Sequence, residues 1–293
     1  MERSGCMLDA AHLLALASAA CFGLGLVLMQ RGLVYLPPLR GAAISVPLAF
    51  VLMLVVSPWT VDWAGLDLTA VGIFSVVGIV FPSVVVLLTY QSNFRIGPYM
   101  TASLGNLAPL FAVFFAILVF GEWPTWPQAA AIGTIVLGAT LMVSGANGVS
   151  RDWPYSALLL PLSAALIRGL VQPSVKIGLG YWPDPFAALL FCYVVSATVL
   201  LAANLARWRE PFALTYPAFA WFAGVGIANG AAVLFMYAAL TRGTVTEVAP
   251  LVASFPLATL AFGWFFATTK RTGARTAAGV ALAVAGVMLL ILS

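Results

Sequence analysis

The sequence predicts an all-α integral membrane protein whose ten transmembrane helices form two inverted five-helix repeats. Of its 293 residues, 63% are hydrophobic and 8% are charged, and the mean hydropathy is +1.07. This composition leaves too little polar surface to coat a soluble globule of this size. The apolar residues also fall into runs of membrane-spanning length, and part of the chain repeats. These three observations predict a lipid-embedded helical bundle built from a duplicated unit.

The apolar runs set the number of predicted helices. A bilayer core requires about 20 apolar residues per spanning helix. Ten such runs alternate with short connections that contain proline, glycine and asparagine, as expected of turns. Tryptophans cluster at the ends of the runs, which is typical of the headgroup region. The predicted spans 1 to 10 cover residues 10–29, 41–58, 69–90, 98–120, 127–145, 155–176, 185–206, 216–240, 245–267 and 274–292.

A repeat becomes visible when the chain is compared with itself at a shift of 147 residues. Ten of the forty positions from Val86 to Thr125 are then identical. Tyr90 falls on Tyr237 and Pro109 on Pro256, and these matches weigh more than leucine or valine matches because tyrosine and proline are scarcer in this chain. A duplicated chain is therefore the better interpretation.

The two halves of the predicted membrane domain, 1–148 and 149–293, each contain five spans. A second copy that enters the bilayer after an odd number of crossings lies upside down relative to the first. Inverted repeats of this kind are typical of secondary transporters, in which the ligand site lies where the halves meet.

Composition and motifs argue against several other classes of protein. The net charge is +4, but the basic residues are scattered, which argues against a nucleic-acid partner. Cys6, Cys21 and Cys192 have no metal-binding spacing, and His12 has no second ligand near it in the sequence. No metalloprotease, serine-hydrolase or phosphate-loop motif is present. We therefore expect no enzyme activity, no cofactor and no metal.

A polar stripe in span 6 provides the first candidate site. Arg168, Gln172 and Lys176 follow one another at intervals of one helical turn. A guanidinium in the middle of a membrane span costs roughly 2.5 to 3.5 kcal/mol on insertion scales, so it should face protein or a wet cavity. Two interpretations stay open and carry equal weight. Arg168 either binds an anionic solute group together with Gln172, or it snorkels or pairs with backbone carbonyls.

Polar residues of the other spans are candidates for the same inner surface. Tyrosines near helix ends are also common in the interfacial aromatic belt. The carboxylate of Glu247 is a candidate for proton coupling, but an acid in the first turn of a helix is also favoured by the helix dipole, and we prefer that interpretation. Glu122, just after span 4, is interpreted as an interfacial anchor. The further substrate-binding candidates are Ser103, Asn106, Tyr90, Tyr237 and Asn229, of which Asn229 aligns with Pro82 in the repeat.

The stretch from Leu88 to Gln128 resembles the EamA-type members of the drug/metabolite transporter superfamily. The resemblance is carried by Pro109 and its apolar run, by the Gly121 and Glu122 pair that closes span 4, and by the glycine-spaced span 5. It implies ten helices in two inverted halves, and the export, sometimes the import, of small metabolites such as amino acids or amphiphilic compounds. It also implies a multi-pass protein of the bacterial inner membrane. The second copy departs from the pattern, with Thr268 and Thr269 where glycine and glutamate would stand.

We therefore expect a secondary transporter, an exporter of small amphiphilic metabolites, that works by alternating access. The expected partners are a solute and the lipid bilayer, and the protein is a monomer or a homodimer. The alternative is a non-transporting membrane protein, such as a lipid-modifying enzyme or an assembly partner. The orientation stays open: the resemblance implies cytoplasmic termini, but the positive-inside rule favours the opposite. Of the basic residues other than the intramembrane Arg168, Arg3, Lys176 and Arg242 lie on the side of the termini and nine lie opposite.

Overall fold

The computed structural model describes residues 9–144, 154–207, 214–266 and 273–292; within these segments, the side chains of residues 97–100, 102–103 and 142–144 are not described. The described segments contain α-helices and two short 3-10 turns, and no strand. The α-helices are α1 Ala10–Gly32, α2 Pro38–Thr60, α3 Leu68–Val80, α4 Ser83–Gly105, α5 Ala108–Phe120, α6 Trp126–Ser144, α7 Leu159–Tyr181, α8 Pro185–Arg207, α9 Tyr216–Leu240, α10 Val245–Val252, α11 Phe255–Phe265 and α12 Ala274–Leu292.

Eight helical stretches of the described chain are long and apolar enough to cross a membrane. One of them runs from Leu68 to Ile96, and another joins α10 and α11 over Val245–Phe265. The apolar helices Ala108–Phe120 and Trp126–Leu141 are shorter and correspond to most of predicted spans 4 and 5. A multi-pass helical membrane protein is therefore confirmed, whereas the count of ten crossings stays a prediction.

Prolines divide two of the predicted spans into shorter helices. Pro109 lies in the first turn of α5 and Pro256 in the first turn of α11, each just after a break in the helix. A proline inside a helix removes one backbone donor and clashes with the preceding turn. The breaks therefore fall at the two prolines that the repeat aligns, and α5 and α11 begin 147 residues apart.

The boundary between predicted spans 3 and 4 is wrong. Predicted spans 3 and 4 leave residues 91–97 as a connection, but α4 is helical from Ser83 to Gly105 and includes them. The break lies earlier instead, at Phe81 and Pro82, between α3 and α4. A continuous helix satisfies its own backbone hydrogen bonds, and unsatisfied backbone groups are strongly unfavourable in lipid. This effect outweighs the turn tendency of Gly97 and Pro98.

Glycine contacts between helices occur in equivalent pairs. A side-chain carbon on Gly23 of α1 would lie 2.6 Å from the Cβ of Ala258 in α11. A side-chain carbon on Gly169 of α7 would likewise meet the Cβ of Phe111 in α5. Positions 111 and 258 are 147 residues apart, so the α1–α11 crossing and the α7–α5 crossing are equivalent contacts, and each joins one half of the chain to the other. Small residues allow such close approach of membrane helices.

This pairing corrects the alignment of spans 1 and 6. At a shift of 145 residues, which the sequence suggests for these two spans, Arg168 falls opposite Gly23, and this predicts a hollow or a close helix contact there. The structure shows the close contact, and it makes Gly23 the equivalent of Gly169. Arg168 is therefore the equivalent of Phe22, one position earlier, and both line the cavity described below.

Candidate solute-binding site

A cavity lies between the helices of the two halves and takes its lining from α1, α2, α4, α7, α9 and α10, among others. Its volume is about 110 Å³, which is room for several water molecules or a small solute. Most lining residues are apolar, and the polar minority comes from both halves of the chain. The polar lining residues are Ser45, Thr89, Tyr90, Asn93, Thr101, Arg168, Gln172, Tyr193 and Asn229.

Arg168 reaches the cavity from the middle of α7. Its Nη2 donates to Thr89 Oγ1 at 3.3 Å, and Thr89 Oγ1 itself donates to the carbonyl of Val85 at 2.7 Å. Among the described residues, no carboxylate forms an ion pair with Arg168 and no carbonyl accepts from it. A guanidinium carries five N–H donors. Most of the donors of Arg168 are therefore left for water or for a solute.

Gln172 lies one turn further along α7 and also lines the cavity. The side chain is 6% exposed, and its Oε1 has no hydrogen-bond partner among the described residues. Buried polar atoms are normally hydrogen-bonded, because an unpaired one costs about 1 to 3 kcal/mol. Gln172 therefore presents an unsatisfied acceptor on the same face of α7 as the Arg168 guanidinium.

Asn229 and Asn106 occupy different positions relative to the cavity. Asn229 lines it and contacts α1 at Gly25, and its repeat equivalent Pro82 is a lining residue as well. Asn106 lies in the break between α4 and α5, is 1% exposed, and is not a lining residue. Neither Oδ1 nor Nδ2 of Asn106 has a partner within the described part of the chain. The side chain of Ser103 lies outside the described residues.

The two repeated tyrosines pack in equivalent positions. The Tyr237 hydroxyl donates to Cys192 Sγ at 3.7 Å, and the Tyr90 hydroxyl faces Ser45, which is the repeat equivalent of Cys192. Tyr90 lines the cavity, whereas Tyr237 is fully buried away from it. The structure therefore brings Tyr90 to the site and assigns Tyr237 to packing between α9 and α8.

The carboxylate of Glu247 is engaged at the start of α10. Its Oε2 accepts from the backbone N–H of Thr244 at 3.2 Å, and Thr244 Oγ1 accepts from the N–H of Glu247 at 3.3 Å. This reciprocal arrangement is a capping box, which satisfies backbone donors at a helix start. The preferred interpretation of an acid at a helix start agrees with this geometry, and a coupling role stays a prediction.

The structure adds two polar features that the sequence analysis does not assign. Thr89 and Asn93 line the cavity from α4, and their spacing of four residues, one turn, is the signal that could have found them. Glu122 is more than an interfacial anchor, because its Oε1 pairs with Lys176 Nζ at 2.7 Å. Span counting places both residues at the same membrane face, but it does not predict that they meet.

The helical fold, the repeated contacts and a cavity between the halves define a multi-pass membrane protein with an internal solute-sized site. The family model of the EamA-like transporter family matches the chain twice, over residues 9–144 and 155–292. The chain belongs to the EamA-like transporter family. It is therefore a membrane transporter of small solutes, in a family of transporters rather than enzymes, and its two-repeat organisation is that of the family.

The fold of the chain also occurs in solved structures. Chains of solved structures match this one, 29 in number. One of them, titled only as the crystal structure of a protein, has a TM-score of 0.80 at 15% sequence identity and covers 95% of each chain. At this identity the likeness shows the fold alone. Among curated proteins, none matches the chain.

Proposed function

We propose that the protein is a secondary transporter that exports small amphiphilic metabolites carrying an anionic group, such as apolar amino acids. The halves rock around the central cavity and expose it to each membrane face in turn, as in other inverted-repeat transporters. Arg168 binds the anionic group, Gln172 accepts a hydrogen bond from the solute, and the apolar lining holds the rest. The transport unit resides in a bacterial inner membrane, as a monomer or a homodimer.

The observation that carries this proposal is the state of Arg168. The guanidinium faces a cavity, and the described residues offer it one hydroxyl and no negative charge. A charged group inside a membrane protein typically marks a substrate or ion pathway, because its burial is otherwise unfavourable. A carboxylate with bidentate geometry would match the fork of the guanidinium, and charge-assisted pairs of this kind are among the stronger hydrogen bonds.

Gln172 refines the solute class. Its Oε1 is an acceptor without a partner among the described side chains, so it is satisfied by a solute that donates a hydrogen bond close to the anionic group. An α-amino acid carries its ammonium and carboxylate on neighbouring atoms. The apolar lining, which includes Phe22, Leu26 and Met29, suits an aliphatic or aromatic side chain.

Counterflow in reconstituted vesicles tests the proposal. Vesicles that contain the purified protein are loaded with unlabelled leucine, phenylalanine or methionine, and the entry of the same tritiated compound is measured. Matched vesicles receive the decarboxylated amines isoamylamine and phenethylamine. We expect exchange of the acids, little exchange of the amines, and loss of acid exchange in Arg168→Ala. Chromatography of the vesicle contents and lipids checks that the solute is moved without being converted.

The matched control is Arg242→Ala, because Arg242 is an exposed cation in the turn after α9, and its Nη1 donates to the carbonyl of Ala238 in that helix. This variant should exchange like the parent protein. Unchanged affinity and rate in a folded Arg168→Ala would overturn the assignment of the site. Product formation without flux would instead favour the lipid-modifying alternative.

A further inference from the structure

A polar cluster connects α5, α7 and α10 at the membrane face where α1 begins and α7 ends. Lys176 Nζ of α7 donates to Glu122 Oε1 at 2.7 Å and to the carbonyl of Gly243 at 3.1 Å. Glu122 Oε2 accepts from the backbone N–H of Val245 at 3.0 Å. The cluster therefore ties together the end of α5, the last turns of α7 and the start of α10. We call these contacts of Glu122, Lys176, Gly243 and Val245 the latch.

The latch lies one helical turn beyond the cavity. Lys176 follows the lining residue Gln172 by four positions in α7, and Val245 precedes the lining residue Ala249 by four positions in α10. Glu122 belongs to the first matched family segment, and Lys176 and Val245 belong to the second. The contact therefore joins the two parts that must separate if the cavity is to open at this face.

The charged side chains of the latch are shielded from water. Lys176 is 23% exposed and Glu122 16% exposed, and the ring of Phe120 lies 5.4 Å from Lys176 Nζ. A partly buried ion pair with additional hydrogen bonds is screened less by salt than a surface pair. The latch is thus able to bias an equilibrium between two arrangements of the bundle.

Within the described part of the chain, the opposite face shows no ion pair equivalent to that between Lys176 and Glu122. Arg31, near the end of α1, donates to the carbonyl of Phe266 at 2.7 Å rather than to a carboxylate. At a shift of 147 residues, Glu122 corresponds to Thr269 and Val245 to Pro98. Threonine has no charge to pair with a cation, and proline has no N–H to donate. The positions that the repeat relates to Glu122 and Val245 therefore have neither the acid nor the backbone donor of the latch.

We propose that the latch is the gate of the transporter at the face where α1 begins, and that it holds this face closed in the absence of solute. Opening the gate breaks the pair between Lys176 and Glu122 and frees the start of α10 to move away from α5. The inference rests on the proposed alternating access, but it assigns a specific contact to the closing of one face.

Thiol labelling tests the gate without any solute. In a chain whose three native cysteines are replaced, Ala249→Cys places a thiol in the cavity one turn above the latch. A membrane-impermeant maleimide is applied to each side of sealed vesicles in turn. We expect slow labelling from the latch face in the parent. Either Lys176→Gln or Glu122→Gln should accelerate it by roughly tenfold, because each removes one charge of the pair that favours the closed state.

Two control variants separate the latch from general effects of charge. Lys176→Arg keeps the cation and should label slowly, and Arg242→Gln removes a cation of the same face outside the latch and should also label slowly. Labelling from the latch face that is equally slow in both Gln variants would overturn the proposal. If Glu122→Gln does not fold, Lys176→Gln decides alone. Because the assay uses no solute, a failure of Arg168→Ala to alter exchange would leave this result standing.

Discussion

At the scale of single residues, the site depends on how the Arg168 guanidinium is held. Thr89 Oγ1 donates to the carbonyl of Val85, so its hydroxyl is oriented and its lone pairs face Arg168. Thr89 therefore acts as a positioning residue: it directs one N–H of Arg168 and leaves the others toward the cavity. Its role follows from the α4 backbone and is not visible from residue type alone.

Substitution of Thr89 tests this positioning. Thr89→Val keeps the shape of the side chain and removes the acceptor, and we expect the KM for exchange to rise roughly tenfold, since hydrogen bonds to charged groups are worth about 1.5 to 3 kcal/mol. The maximal rate should change less. Thr89→Ser restores the hydroxyl and should restore the KM, which a purely structural effect of the Val variant would not predict. Counterflow over a range of solute concentrations gives both constants.

Some of the candidates named from the sequence lie at the cavity, and their role in binding stays a prediction. Arg168, Gln172, Tyr90 and Asn229 line the cavity, and their polarity inside apolar spans is what marks them. Tyr237 does not line it, because equivalent positions of a repeat share packing but meet different neighbours. Thr89 escapes notice, since a lone threonine in a membrane span satisfies its hydroxyl on its own helix and carries no distinctive signal.

At the scale of helices, close crossings between small residues fix the bundle. Gly138 of α6 lies against α12, where a side-chain carbon would come 2.7 Å from the carbonyl of Gly279. Because the neighbouring atoms are backbone, they cannot move aside cheaply. Gly133 belongs to the same helix, but no atom lies within 4 Å of the position that its side-chain carbon would take.

Gly138→Ala should therefore destabilise the protein by roughly 1 to 3 kcal/mol, as overpacking does. Gly133→Ala should be neutral or slightly stabilising, because alanine is the better helix former. The fraction of monodisperse protein after heating in detergent measures both variants. Equal loss in the two would contradict the prediction, because it would show that the contact between α6 and α12 does not determine the effect.

Helix boundaries were predictable where a physical cause lies in the sequence. Pro109 and Pro256 mark the breaks before α5 and α11, because a proline cannot continue the hydrogen-bond ladder. The start of α4 was not predictable, since Pro82 lies within an apolar run that reads as one span. Gly97 and Pro98 suggested a turn that the structure replaces with helix.

At the scale of the whole molecule, the inverted repeat predicts on which side of the membrane two points of the chain lie. The connection after span 5 and the end of the chain are separated by five crossings, so they lie on opposite sides of the membrane. Alkaline phosphatase and fluorescent-protein reporters fused after Gly148 and after Ser293 should therefore give opposite results. Equal results at both positions would contradict five crossings in the second half. The same pair of fusions also decides between the two orientations of the termini.

Duplication was visible in the sequence because tyrosine and proline kept a common spacing. Its three-dimensional consequence was only partly visible. The alignment of spans 1 and 6 needed the contacts of Gly23 and Gly169, because two sequences made of the same few apolar residue types align almost equally well when shifted by one residue. The latch was invisible for a related reason: Glu122 meets Lys176 across the repeats, and a comparison of the halves shows equivalence and not contact.

The two halves of the chain contribute different residues to the cavity wall. At three equivalent pairs of lining positions, the member from the first half is apolar and the member from the second is polar, whereas the pair of Thr89 and Met236 has the reverse order. Under the proposed function, the anionic end of a bound solute lies toward the later half of the polypeptide, because Arg168, the charged residue of the lining, belongs to that half. Divergence of the two copies after duplication thus gives the cavity two unlike sides. The pairs are Phe22 with Arg168, Leu26 with Gln172, and Pro82 with Asn229.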